Sequence, residues 1–267
     1  MRRILYFIVF LICIIITNGD DKTTSCDIKT LDPHAITLIS TIDGLMIAVN
    51  TFTGKEIWRY KDKPLLETPK IINKNFLFLP NPQDGNLFVY TDNKLKRLPF
   101  TIPQLVQTSP CKTSDGILYA GAKKDVWLSV HFDRGLQSEE IRDSLSENIC
   151  PVSKDELVYI GRSEYQLTMR NSSNNNVWNV TYYDYSSYIP DEGIENPPLV
   201  YISKPGSGKI VCIDTMSKTI IWEKKFPSVI VGTYHLKRDG LHYAPNRFVG
   251  SETLEAFIEV SFEKISL

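Results

Sequence analysis

The sequence predicts a mostly-β protein: propeller-like repeats of small β-sheets in an incomplete, open ring, with a few short helices. Three observations predict it. Unit starts at Gly44, Gly85, Asp125, Glu164 and Gly208 are separated by 41, 40, 39 and 44 residues. Short apolar segments of strand length run between them, the period and content of stacked sheet repeats. Three of the four tryptophans, Trp58, Trp178 and Trp222, hold one repeat position. A small sheet cannot bury both faces alone, so neighbouring units stack and a tryptophan from each can wedge between them.

The first residues stand outside this pattern. Met1-Arg2-Arg3 is a charged start, Ile4 to Ile16 is an unbroken apolar run of 13, and Thr17-Asn18-Gly19 puts small residues before a cleavage point. Residues 1–19 read as a secretory signal peptide, since the run is shorter than the ~20 residues of a membrane span. Its removal takes away Arg2 and Arg3 and moves the net charge from −1 to −3. No basic surplus is left for a nucleic acid. Residues 20–33 are polar and read as a flexible linker; residues 34–267 read as the folded domain. Of the five cysteines, Cys13 leaves with the signal peptide. Cys26, Cys111, Cys150 and Cys212 have no zinc-like spacing, and the sequence leaves them open as buried, paired or free.

Unit one has a strand over Ile36 to Ile42, a turn at Asp43-Gly44, a strand over Met46 to Val49, a turn at Thr53-Gly54, and a strand with Ile57-Trp58. Unit two begins with Phe76 to Leu79, turns at Asp84-Gly85 and continues over Leu87 to Tyr90. Next comes Leu98 to Trp127, where Thr101 can cap a helical turn, Pro103 fits its first turn, and Leu105 and Val106 anchor it. Ser109-Pro110 ends that turn, and Ser114-Asp115-Gly116 precedes a strand over Ile117 to Tyr119. Lys123-Lys124-Asp125 reads as a turn feeding a strand with Trp127, and Gly135 falls where unit one has Gly54. Units four and five align with unit one at offsets of 120 and 164, but Pro99 and Glu139 replace the tryptophan in units two and three. At the end, Leu254, Phe257, Ile258, Phe262 and Ile265 suit a helix face, while Ile258, Val260 and Phe262 also alternate like a strand.

The stretch LPFTIPQLVQTSPC, followed by SDGILY and DVW, resembles the luminal domain of inositol-requiring enzyme, the endoplasmic-reticulum stress receptor. The sister receptor kinase of the PKR-like type is a weaker resemblance. The similarity runs from about Leu38 to about Phe257. It implies a luminal sensor domain of the unfolded protein response, without catalysis of its own. The implied partners are a second copy, unfolded polypeptide and the luminal heat-shock-70-class chaperone. Full-length members continue through further sheet and a membrane anchor into cytosolic kinase and endoribonuclease domains, so this chain is read as truncated at its C-terminal end.

Site residues follow from residue type and resemblance together. Val126, Leu128 and Val130 alternate with Asp125, Trp127 and Ser129, so one face is apolar and the other carries an isolated large aromatic. Trp127 fits a core filler beside unit two or an anchor of the hot-spot type. The resemblance implies the second: a homodimer interface of Gln107, Lys123, Asp125 and Trp127. The aromatic run Trp178 to Tyr188 fits sheet packing or a peptide groove, and the resemblance places Tyr165 in such a groove. Asn179-Val180-Thr181 and Asn171-Ser172-Ser173 are glycosylation sequons, and the family carries one at the first place.

Catalytic signatures are missing. Pro205 to Lys209 resembles a phosphate loop but has Ser203 for its first glycine and Ile210 for its Ser or Thr, so it reads as a hairpin turn. His34, His131, His235 and His242 are scattered. The turn-glycine and tryptophan spacing also resembles quinoproteins, which raises a secreted propeller-type quinoprotein dehydrogenase as the alternative. No acidic cluster suggests its calcium cage, and no cofactor is expected.

Overall fold

A computed structural model describes residues 35–69, 77–91, 93–114, 116–141, 157–173, 176–188 and 199–263. Residues 1–19, read as a signal peptide, residues 20–33, read as a linker, and Cys26, Cys150, His34, Phe76, Asp115 and Ile265 lie outside them. In chain order the strands are β1 (Ile36–Thr41), β2 (Leu45–Asn50), β3 (Glu56–Lys61), β4 (Leu66–Glu67), β5 (Phe78–Pro80), β6 (Asn86–Thr91), β7 (Lys94–Thr101), β8 (Cys111–Lys112), β9 (Ile117–His131) and β10 (Gly135–Ile141). There follow β11 (Leu157–Asn171), β12 (Val177–Tyr185), β13 (Ser187–Tyr188), β14 (Leu199–Ser203), β15 (Lys209–Asp214), β16 (Thr219–Lys225), β17 (Ile230–Lys237), β18 (Gly240–Tyr243) and β19 (Asn246–Phe248). Two helices are described, α1 (Ile102–Thr108) and α2 (Ser251–Glu263).

The strands form four sheets in an open, propeller-like arrangement. Sheet one runs β13-β18-β17-β1-β2-β3; sheet two runs β10-β9-β11-β12-β4 with β8 beside β9. Sheet three is β5-β6-β7, and sheet four is β16-β15-β14-β19. The hairpins of unit one sit in sheet one, closed against β17, a C-terminal strand paired with β1. Its turn glycine Gly44 has φ +83, and an added Cβ would fall 2.1 Å from the Lys63 carbonyl oxygen. Only glycine therefore lets the Asp62-Lys63 backbone pass beneath this turn.

The tryptophans bridge sheets. Trp222 of β16 donates from Nε1 to the Thr51 carbonyl at 2.8 Å, and its ring covers Gly54 of the next sheet. Trp58 of β3 donates to the Phe132 carbonyl at 2.6 Å, and its ring covers Gly135 of sheet two. Trp178 of β12 meets Phe78 of sheet three, ring centroids 5.4 Å apart. All three are buried. At Trp58 and Trp222 a positive-φ turn glycine offers the ring a flat floor, the physical basis of the repeat read from sequence.

Units three and four depart from that reading. No turn occurs at Lys123-Lys124-Asp125, and Glu164, the start of unit four, lies inside a strand. β9 and β11 are each 15 residues long and pair without interruption from Ile117↔Asn171 to His131↔Leu157. The turn reading rests on charge and repeat spacing, and Lys123-Lys124-Asp125 has no Gly, Pro or Asn to bend the chain. The two units consequently merge into sheet two. Its hairpin feeds two cores from opposite faces. Val126, Leu128, Val130, Val158 and Ile160 pack toward sheet one, while Tyr119, Leu167 and Met169, of opposite parity, pack toward sheet three and α1.

α1 forms as its sequence dictates. The Thr101 hydroxyl accepts the Gln104 N–H, the Gln104 side chain accepts the Thr101 N–H, and Pro103 needs no donor there. Ile102, Leu105 and Val106 are buried. Residues 205–208 make the hairpin turn between β14 and β15. The C-terminal segment is helical, with Leu254 and Ile258 packed on Val211 and Ile213 of sheet four. No helix among the described residues is long and apolar enough to cross a membrane.

Candidate functional site

Lys123, Asp125 and Trp127 lie on β9, beside the last turn of α1. Residues Ala120 to Asp125 are all exposed, on both faces of the strand. One edge of this segment pairs with β11; along the other, the described pairing of β8 reaches Tyr119 and that of β10 reaches Val126, opposite Ile141. Among the described residues, no strand pairs that second edge. Its backbone direction is fixed by Gly121, whose N–H points away from β11 to the Ser109 hydroxyl at 2.9 Å. Ser109 in turn donates to the Val106 carbonyl at 2.8 Å. Strand alternation then turns the N–H and C=O of Lys123 and Asp125 to the same open side. Gly121 is required by close approach, since an added Cβ would fall 2.8 Å from the Val106 Cα. Gln107, next to Val106, is exposed on α1.

The side chains of this segment engage one another across the hairpin. Lys123 Nζ reaches Asp125 Oδ1 at 2.9 Å and sits 5.7 Å from the centre of the Tyr165 ring. Ser163 donates to Asp125 at 2.6 Å. Burial pushes the Asp125 carboxyl up, but the hydrogen bonds from Ser163 and Lys123 and the Lys123 charge outweigh it and hold it below the ordinary carboxylate range. Lys123 and Asp125 are thus already each other's partners within one subunit. Trp127 is half-buried opposite Gly161, its ring over the space that a side chain there would take. It faces away from Val126, Leu128 and Val130, as the alternation predicts.

Tyr165, assigned to a groove, is cross-strand from Lys123 and stacks on Tyr182, centroids 6.3 Å apart. The structure therefore brings the interface and groove candidates together at the Lys123–Tyr165 pair. Asn179 is exposed on β12, whereas Asn171 is half-buried at the end of β11, where its Oδ1 accepts the Ser173 N–H at 2.8 Å. Of the histidines, His131 accepts the Asp133 N–H through Nδ1, and His242 meets Asp239 at 2.9 Å. Burial holds His235 down to about 4. The described residues contain no group of three His, Cys, Asp or Glu placed to hold a metal. Burial pushes the Cys212 thiol up to about 12, as expected of a packing residue.

Sequence reasoning missed two polar groupings. Arg162 of β11 pairs with Asp62 after β3, and both side chains are buried. Asp62 also accepts the Tyr185 hydroxyl at 3.0 Å; burial, then the Asp62 charge, raises that phenol. The second grouping gathers Asp184, Tyr182, Tyr234 and Asn246 around a cavity. No local signal announces either, since their members come from distant parts of the chain.

No protein-family profile matches the chain. It is 39% identical over 219 residues to the serine/threonine-protein kinase/endoribonuclease ire-1 of Caenorhabditis elegans, covering 82% of this chain and 22% of that protein. It is 33% identical over 236 residues to the serine/threonine-protein kinase/endoribonuclease IRE2 of Homo sapiens, covering 87% of this chain and 24% of that one. Similarity to the eukaryotic translation initiation factor 2-alpha kinase pek-1 of Caenorhabditis elegans is lower, 27% over 236 residues, covering 82% of this chain and 21% of that kinase. The chain spans less than a quarter of the length of the curated relatives it matches. Among solved structures, the compact lumenal domain of yeast Ire1 aligns with a TM-score of 0.62 at 21% identity, over 80% of this chain and 75% of that one. That likeness establishes the fold.

Proposed function

Because this chain corresponds over most of its length to the lumenal region of IRE1-type proteins, we propose that it is a stress-sensing domain of the endoplasmic-reticulum lumen that acts by homodimerisation. The kinase and endoribonuclease parts of those relatives lie outside the matched region, so the domain's role is binding. The observation that carries the reading is the Ala120–Asp125 edge: six consecutive exposed strand residues with backbone groups turned outward. An open edge of this kind is a template for strand pairing, and a two-fold axis through it extends one sheet across two subunits. Gln107, Lys123, Asp125 and Trp127 flank that edge. In the dimer the Lys123–Asp125 pair exchanges its partner for the opposite charge across the axis, and Trp127 serves as anchor. Tyr165, one strand further in, lines the surface offered to unfolded polypeptide, and the heat-shock-70-class chaperone competes for the same state. The tryptophan-on-glycine wedges that suggested a quinoprotein are the sheet packing of this fold and carry no argument for a dehydrogenase.

Asp125→Pro tests the interface. The Asp125 N–H points to the open side, so proline removes a donor there and leaves pairing with β11 intact. Sedimentation is expected to show a concentration-dependent dimer for the parent chain and a monomer for the variant, with matching far-ultraviolet dichroism. Dimerisation of the variant as tight as that of the parent would place the interface elsewhere.

Lumenal residence gives a second expectation. Asn179, exposed on β12, should carry the glycan, with Asn171 modified less because its side chain is engaged. Glycosidase digestion of protein from a secretory host should shift its mobility, and Asn179→Gln should remove most of that shift. An unchanged shift in the variant would rule out Asn179.

A further inference from the structure

A cavity of about 130 Å3 opens where β12, β17, β18 and β19 meet the turn before β6. It has room for a small organic group rather than a single water. Its lining includes one charged side chain, Asp184, and no lysine or arginine. Asp184 keeps solvent access, so the mouth is open, yet protein crowds its carboxyl, and burial raises it more than the hydrogen bond from the Tyr185 N–H lowers it. Tyr182 and Tyr234 reach the same space; burial, then the Asp184 charge, pushes both phenols up, which keeps them neutral hydroxyls. The Tyr234 ring meets Tyr243 edge-on, centroids 6.3 Å apart, adding aromatic surface. Asn246 brings an amide whose Oδ1 and Nδ2 are both buried without a hydrogen-bond partner in the structure. Buried polar atoms are ordinarily satisfied, so unmet atoms at a cavity wall point to a guest.

The chemistry of this guest follows from the walls. A carboxylate and an amide oxygen want donors, aromatic rings favour a cation, and Asp184 repels an anion. We propose that the cavity binds the primary ammonium group of a short alkyl chain, its N–H donors shared between Asp184, Asn246 Oδ1 and a tyrosine hydroxyl. Two sources present this group, a free small amine and the lysine side chain of a polypeptide. The site lies two strands from the β9 edge, joined to it through the Tyr182–Tyr165 stack, and its binding chemistry does not require dimerisation there.

Calorimetric titration of the chain with n-butylammonium tests the proposal, with n-butanol as the neutral isostere of the same length. Butylammonium should bind about tenfold or more tightly than butanol, as expected for charge-assisted hydrogen bonds. Asp184→Asn should lower its affinity by a similar factor while leaving dichroism unchanged. A blocked lysine amide and a lysine-containing tetrapeptide form the second arm. Tighter binding of these than of butylammonium assigns the site to a polypeptide side chain, and the reverse order to a free amine. Equal affinity for butylammonium and butanol, or no binding of either, overturns the proposal. Both ligands are titrated into the parent chain, so the test stands even if Asp184→Asn fails to fold.

Discussion

Trp58→Ala should destabilise the domain by about 3–5 kcal/mol, the cost of truncating a large buried aromatic. The residue is 8% exposed and sits in the core between sheets one and two. Three losses coincide. The ring leaves a cavity in the core it shares with Leu38, Ala48, Leu128 and Val130. The Phe132 carbonyl loses the indole N–H that meets it at 2.6 Å. The Gly135 turn, φ +78, loses its cover; an added Cβ there would sit 2.9 Å from the ring. Urea melts of Trp58→Phe separate these terms. Phenylalanine keeps much of the packing and drops the hydrogen bond, so it should retain most of the stability. Trp222→Ala should show a loss of the same order, since Trp222 repeats the arrangement over Gly54. If both alanine variants melt with the parent, the wedge account of this fold is wrong.

The same pair of contacts shows what a sequence of this kind makes legible. A glycine at positive φ and a tryptophan at fixed spacing are local signals, and Gly44, Gly54, Gly85 and Gly135 all adopt the conformation that only glycine takes easily. The capping residues of α1 are likewise local. Pairing of β1 with β17 was not legible, because it joins Ile36 to Leu236 and nothing near either end announces it. Nor was the continuity of β9 and β11. A Lys-Lys-Asp run resembles a turn until it is known that both faces of the strand are solvent-exposed there, which makes charge acceptable in a strand. For the interface strand, Val126, Leu128 and Val130 could be assigned to one buried face from alternation alone. The edge left unpaired among the described residues could not, because it depends on how far β8 and β10 extend along β9. Polar groupings fared worst: Arg162 and Tyr185 are cross-strand partners in sheet two, and Asp62 joins them only through the docking of sheet one.

Asp62→Ala should cost about 3–5 kcal/mol, because it strips the carboxylate from a guanidinium that remains buried. Arg162 is 2% exposed and the Asp62 side chain 6%. The position of Asp62 is set from sheet one. Its N–H donates to the Gly44 carbonyl at 2.8 Å, and the side-chain-free face of Gly44 lets this backbone pass close by. Arg162 comes from sheet two, where its guanidinium also lies 5.6 Å from the centre of the Tyr183 ring. The ion pair therefore ties a turn of one sheet to the central hairpin of the next. Charge is costly at such a place, so the pair's worth lies in being complete. Removing one member leaves the other desolvated, whereas replacing both with apolar groups of similar size, Asp62→Leu with Arg162→Met, should recover most of the loss. Chemical denaturation of the two single variants and the double variant gives the cycle. Strongly non-additive losses, with the double variant near the parent, are expected of a buried pair. Additive losses below about 1 kcal/mol each are the values of a solvated surface pair, and they would show that sheets one and two are held by their apolar contacts alone.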